Sequence, residues 1–305
     1  MVRYILKRIL ISIPLIIAVV LIIFLLLQVL PGNPIAVMMG EKASEAVIQR
    51  VTEEMGLNDP VLVRFGRYMW NALHGDFGRS YKLSRQVSDL IAKSFPNTVK
   101  LALSAAFVAW IIGIPAGIVS AVKKDSLLDR AFMTFALIGI SAPIFWAAML
   151  MQYIFGSTLG WLPLAGYNTV KHMILPAIVL GWSSSGSIAR MTRSNLLEVM
   201  RNDYIRTARA KGLAEGKVIF RHALKNSMMP VVTMMAIQLA GLLSGAVITE
   251  SVFGIGGIGK LTVDAINSRD MPLLQGSVVF STFIIILGNM AADIIYSFLD
   301  PRVRD

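Results

Sequence analysis

The stretch ILISIPLIIAVVLIIFLLLQVL, from Ile9 to Leu30, decides the class of this protein. It carries no charged residue and exceeds the ~20 residues that cross a ~30 Å hydrocarbon core as a helix. A secretory signal has a shorter apolar core, about 7 to 15 residues, followed by a small-x-small cleavage site. Here Pro31-Gly32-Asn33-Pro34 follows instead, so the segment reads as a retained anchor behind Arg3, Lys7 and Arg8.

Five further apolar stretches lie at approximately Val99 to Val122, Ala131 to Phe155, Met173 to Ile188, Met228 to Ile248 and Leu273 to Phe298. The whole chain agrees with them: 55% hydrophobic, 15% charged and a mean hydropathy of +0.67 are too apolar for an ordinary soluble domain. The expected fold is therefore an all-α polytopic membrane protein with six transmembrane helices. Trp182-Ser183-Ser184-Ser185-Gly186-Ser187 makes the second half of the fourth stretch small and polar. That helix should face protein or water, not lipid. Pro115, Pro143, Pro176 and Pro230 fall in or near these stretches, where neighbouring helices can satisfy the freed backbone groups. The absence of cysteine excludes disulfides, thiolate catalysis and zinc-cysteine sites, and His74, His172 and His222 lack ligand spacing.

The net charge of +11 could mark nucleic acid, anionic lipid or the positive-inside bias of a membrane protein. Position assigns it to the last. Basic residues gather at Arg3, Lys7 and Arg8; at Lys123, Lys124 and Arg130; from Arg190 to Lys225; and at Arg302 and Arg304. These connections are assigned to the cytoplasm, which places both termini inside and makes a nucleic-acid partner unnecessary. The opposite short connections carry only Lys171, Lys260 and Arg269.

Residues 1–30 are thus expected to be an anchor helix and 31–98 an external helical segment. Residues 99–298 form a five-helix core with a cytoplasmic loop at 190–227, and 299–305 a cytoplasmic tail. Within the external segment, Ser44 precedes Val47, Ile48, Val51 and Met55 at helical spacing, which predicts a Ser-capped amphipathic helix. Gly56-Leu57-Asn58-Asp59-Pro60 breaks it, and Val61 to Leu73 reads as a second helix ending at His74-Gly75.

Gly254-Ile255-Gly256-Gly257-Ile258-Gly259-Lys260 matches G-x-G-x-x-G and most of the Walker pattern. The Walker loop requires Ser or Thr next, where Leu261 stands, and the preceding apolar run is too long for one strand of a nucleotide-binding unit. The expected reading is a flexible, glycine-rich external turn that binds no nucleotide. Gln28, Gln152, Gln238, Gln275, Asn289 and Asp293 are polar at membrane depth. Interhelical hydrogen bonds are their ordinary role, while an ionised Asp293 must face the bundle, a partner or water. Ser184, Gln238, Asn289 and Asp293 are the candidates for a polar pathway or bundle interior.

Asp203-Tyr204-Ile205-Arg206-Thr207-Ala208-Arg209-Ala210-Lys211-Gly212-Leu213 combines good helix formers, an acid at its start and a glycine near its end. A short cytoplasmic helix between two spans is a lever through which another protein could move the bundle. The segment resembles the cytoplasmic EAA loop of binding-protein-dependent ABC importer permeases, whose pattern is Glu-Ala-Ala, three residues, Gly, nine residues, then Ile-x-Leu-Pro. Ala208, Gly212 and Leu224 fit that pattern; Arg206, Thr207, His222 and Lys225 depart from it. The departures resemble the dipeptide, oligopeptide and nickel branch, where Tyr-x-Arg-Thr-Ala-x-Ala-Lys-Gly is usual and Pro follows later, as Pro230 does.

Further blocks carry the same resemblance along the chain: Leu30-Pro31-Gly32-Asn33-Pro34, Gly75-Asp76-Phe77-Gly78-Arg79-Ser80, Gly160-Trp161-Leu162-Pro163, Ile248-Thr249-Glu250-Ser251-Val252-Phe253, Arg269-Asp270 with Pro272, and Leu299-Asp300-Pro301-Arg302-Val303-Arg304. The short lead before the first span is similar to the first of the two permeases in such systems. The resemblance implies a permease subunit of an ATP-driven importer for di- or oligopeptides, glutathione or a nickel chelate, in a bacterial or archaeal cytoplasmic membrane. It implies a second homologous permease, an external solute-binding protein and two cytoplasmic ATPase subunits that use ATP and Mg. This chain itself would bind no cofactor and catalyse nothing. The ATPase contact would be Asp203, Tyr204, Arg206, Thr207, Ala208, Ala210, Lys211, Gly212 and Leu213, with Leu224. The alternative is a self-sufficient secondary transporter, for which Asp293 is the only candidate coupling charge. An intramembrane enzyme would need clustered acids or a nucleophile with its base, and a signalling anchor would leave the polar residues of the spans without a purpose.

Overall fold

A computed structural model describes residues 2–29, 45–54, 56, 58–80 and 82–299. The predicted Ser44 cap, the Pro31 to Pro34 block and residues 300–305 lie outside the described residues. Helix α1 (Val2–Val29) is followed by α2 (Glu45–Glu54), α3 (Val61–Leu73) and a hairpin of β1 (Arg79–Ser80) and β2 (Arg85–Gln86), paired antiparallel. Then come α4 (Val87–Val122), α5 (Leu127–Ser141), α6 (Ile144–Thr158), α7 (Val170–Val199), α8 (Asp203–Ala210), α9 (Glu215–Leu243), α10 (Val247–Val252), α11 (Ile258–Ser268) and α12 (Met271–Leu299).

Among the described residues four helices are long and apolar enough to cross a membrane: α1 over Arg8–Leu26, α4, α9, and α12 over Met271–Phe298. The third expected span, Ala131 to Phe155, is not one rod. It breaks by 104° between α5 and α6, because the residue before a proline is driven into extended backbone. Ala142 has ψ 130° ahead of Pro143. The bent pair brings the count to five. Helix α7 is 30 residues long, with the polar half noted above. Helix α4 begins at Val87, inside the segment read from sequence as external, and α9 starts at Glu215 and stops at Leu243, short of Ile248.

The centre of the bundle is the seam between α4 and α7, with α5 laid against α7. Gly113 and Gly117 on α4 permit this: a Cβ there would stand 2.7 Å from the Ser185 carbonyl and 2.6 Å from the Ala189 carbonyl. On α7, a Cβ at Gly186 would overlap the Ala136 carbonyl of α5. Small residues one turn apart let helix backbones approach closely where lipid provides no hydrophobic drive. Helix α12 packs along α9 and α1, and Asp293 pairs there with Arg8 at 3.0 Å.

Candidate functional site

At one end of the bundle, α8 lies across the ends of α4, α7 and α9. Ile205 and Ala208, one turn apart, are its buried residues. They pack with Ala121 of α4, Leu196 of α7, and Val218 and Ala223 of α9, with Leu213 at the margin of that cluster.

 Leu213 thus turns inward after the helix has ended. Leu224 and Ser227 follow Val218 and Ala223 along α9, and Leu224 is half-buried.

The opposite side of α8 is open. Tyr204, Arg206, Thr207, Arg209, Ala210, Lys211 and Gly212 are exposed. Thr207 donates its hydroxyl to the Asp203 carbonyl at 3.0 Å, and Asn226 donates to the Tyr204 hydroxyl at 3.0 Å. The Arg206–Asp203 pair at 3.4 Å is fully in water and adds little. The helix stops at Ala210. Gly212 then turns the chain at φ +75°, with nothing within 4 Å of a Cβ built there. Of the two reasons for a glycine, left-handed backbone applies here and close approach does not. Arg209 closes the turn with a two-pronged pair to Glu215, at 2.7 and 3.0 Å, which holds the guanidinium pKa above its usual value.

A second charged pair supports this end. Asp129, at the start of α5, is 4% exposed. Its two oxygens accept from Arg193 Nε at 2.8 Å and from a terminal guanidinium nitrogen at 2.7 Å, and Oδ2 also accepts from the Asp125 N–H at 2.9 Å. Ser126 caps α5 by accepting from the Asp129 N–H at 3.2 Å. The sequence reading missed Ile205, Asp129 and Glu215. Ile205 was legible as the apolar partner of Ala208 at i,i+3 spacing. The Asp129–Arg193 pair spans 64 positions, for which one sequence carries no signal.

The polar residues of the spans divide. Gln238 donates to the Ser184 carbonyl at 3.3 Å, so α9 and α7 meet there. Gln152 donates to the Leu164 and Val252 carbonyls at 2.7 and 3.1 Å. Of the other two pathway candidates, Asn289 is exposed and Asp293 is tied to Arg8.

The glycine-rich segment corrects its expected flexibility. Glu250 on α10 is fully buried, accepting from the Thr98 hydroxyl at 2.8 Å and the Lys260 N–H at 3.0 Å. Thr98 in turn accepts from the Ile258 N–H at 2.8 Å, and Asn97 donates to the Gly256 carbonyl at 3.0 Å. A Cβ at Gly257 would overlap the Glu250 carboxyl. The glycines let backbone close around a carboxylate at the first turn of α11, a favourable place for negative charge. Asp270 does the same for α12: it is buried, accepts from the Ser80 hydroxyl, and takes the Leu273 N–H at 3.3 Å.

A bent apolar bundle carrying a small basic helix across the ends of three long helices is the architecture of an integral membrane component. The chain belongs to the family described as the inner membrane component of binding-protein-dependent transport systems, which matches residues 113–305, with the N-terminal component of such systems matching residues 1–102. It is 42% identical over 312 residues to a putative peptide transport system permease of Brucella abortus (strain 2308), covering 100% of this chain and 99% of the other. It is 40% identical over 332 residues to the dipeptide transport system permease DppB of Alkalihalophilus pseudofirmus, covering both chains completely. Identity is 41% over 304 residues to the glutathione transport system permease GsiC of Salmonella paratyphi A, across 100% of this chain and 99% of that one. The fold is similar to a chain of the inward-facing MetNI methionine ABC transporter, with TM-score 0.60 and 20% identity over 69% of this chain and 96% of the other.

Proposed function

We propose that this permease subunit forms half of the pathway of an ATP-driven importer for short peptides, glutathione being one such peptide. The observation that carries the substrate class is end-to-end likeness to relatives named for peptide, dipeptide and glutathione transport. A second permease completes the pathway, a solute-binding protein delivers the peptide from outside, and two cytoplasmic ATPases use ATP and Mg. The ATPases dock on the open side of α8, where Tyr204, Arg206, Thr207 and Lys211 are presented while Ile205 and Ala208 seat the helix on α4, α7 and α9. The basic connections support a cytoplasmic position for α8 and both termini, and α7, packed against α4, α5 and α9, would make the sixth crossing.

The test is purification of this chain with an affinity tag from its native membranes, followed by reconstitution into proteoliposomes. ATPase subunits should co-purify, and uptake of labelled dialanine or glutathione should require ATP inside the ATPase compartment. Uptake that follows a proton gradient without ATP would establish the secondary-transporter reading in its place.

A further inference from the structure

The Asp129–Arg193 pair sits at a junction. Arg193 is on α7 six residues before its end at Val199, and α8 begins at Asp203. Leu196, one turn beyond Arg193, belongs to the cluster that seats Ile205 and Ala208. Asp129 is on the first turn of α5, directly after the turn that leaves α4, and the Asp125 N–H binds its carboxylate from within that turn. One fork of hydrogen bonds therefore ties three things: the α4–α5 turn, the start of α5 and the stem that carries α8.

Apolar packing alone resists separation of helices more than it resists sliding. Two parallel N–H···O bonds from one guanidinium fix distance, rotation and register together. Beyond the fork, α5 lies on α7 through Gly186 and Ala136 and runs to the break at Ala142-Pro143, where α6 departs at 104°. A displacement of α8 can reach that break through α5 only if the start of α5 follows the stem. With the fork intact it must follow.

Stability gives a second argument. A buried ion pair is weak as a source of net stability, because desolvation opposes the attraction, and an apolar pair would serve packing as well. Its specific contribution is geometry. Neither residue is on α8, whose exposed side carries the proposed ATPase contact.

We propose that Asp129 and Arg193 are positioning residues for energy coupling, locking α5 to α7 so that movement imposed on α8 reaches the α5–α6 break. This rests on α8 being the ATPase contact. The test uses the assembled transporter in proteoliposomes, with labelled dialanine as probe, and reads two quantities: ATPase subunits retained, and dialanine taken up per ATP hydrolysed. Asp129→Asn keeps shape and an acceptor but removes the charge; Arg193→Lys keeps the charge but removes the fork. The Asn variant should retain the ATPase subunits while transport per ATP falls about tenfold, a size usual for coupling between sites, and the Lys variant should fall by about threefold. Transport per ATP within about twofold of the parent in Asp129→Asn would overturn the proposal. So would loss of ATPase subunits in step with transport, since the pair would then serve assembly alone. A parent chain that retains no ATPase subunits overturns the functional reading and this proposal with it; a coupled parent beside a normally coupled variant overturns this proposal alone.

Discussion

Helix α4 connects two buried acids that are held in different ways. Near its start, Thr98 donates to Glu250, which has hydroxyl and backbone N–H partners; near its end, the α4–α5 turn holds Asp129, which has an arginine. Thr98 and Ala121 are separated on the helix by about 35 Å at 1.5 Å per residue. At the Glu250 end, loops must be closed around a helix start, and oriented dipoles do this without fixing any second helix by charge. At the Asp129 end, two long helices are fixed to one another, and a guanidinium fork supplies both charge and register. One end is stitched for shape and the other is clamped for transmission.

The largest effect should come from overfilling the stitched end. Gly257→Val drives a side chain into the Glu250 carboxyl, and forced repacking beside a buried acid should cost about 3 kcal/mol or more. Thermal unfolding of the purified protein in detergent should show a lower Tm and membranes a lower abundance; an unchanged Tm would mean that the segment is as loose as its glycines suggest in isolation.

Next comes Asp129→Asn, which leaves Arg193 without its hydrogen-bonded counter-charge. Because Arg193 remains partly hydrated, the cost should be about 1 to 3 kcal/mol, below the full penalty for an orphaned buried charge. The matching change at the other end, Glu250→Gln, abandons no cation among its described partners and keeps an acceptor for Thr98 or Lys260, so about 1 kcal/mol is expected. The same unfolding measurement on both variants decides the comparison, and a larger loss for Glu250→Gln would reverse it.

The smallest effect belongs to Lys260→Ala. Among the described residues Lys260 Nζ pairs only with Asp264, at 2.7 Å in an exposed i,i+4 geometry, worth about 0.5 kcal/mol or less. ATP hydrolysis by the assembled transporter should be unchanged, and photo-crosslinking of a nucleotide to this segment would contradict the reading of its glycines as a carboxylate cradle.

Much of the architecture was legible because a lipid environment demands long apolar runs, and those runs stand out in the sequence. The bounds of α3, Val61–Leu73, follow from Pro60 before it and His74-Gly75 after it. The break in the third stretch was not legible. Pro115, Pro176 and Pro230 all lie inside continuous helices, so proline identity alone does not say that Pro143 ends one. The stop of α8 was legible through Gly212, but its seating depends on Ala121 and Val218 from other helices. Glu250 was visible only as part of a block; its partner Thr98 lies 152 positions away, and local patterning does not report such pairs.

If the open side of α8 is the surface through which ATPase subunits drive this permease, a probe confined to that side should meet them. The chain has no cysteine, so a single Thr207→Cys variant gives one defined probe on that side. In the assembled, transport-active complex, a short bifunctional thiol-to-amine reagent should join this cysteine to an ATPase subunit, and a membrane-impermeant thiol reagent applied outside intact cells should leave it unmodified. Modification from outside, or no ATPase adduct in a complex that transports normally, would rule out this role for α8.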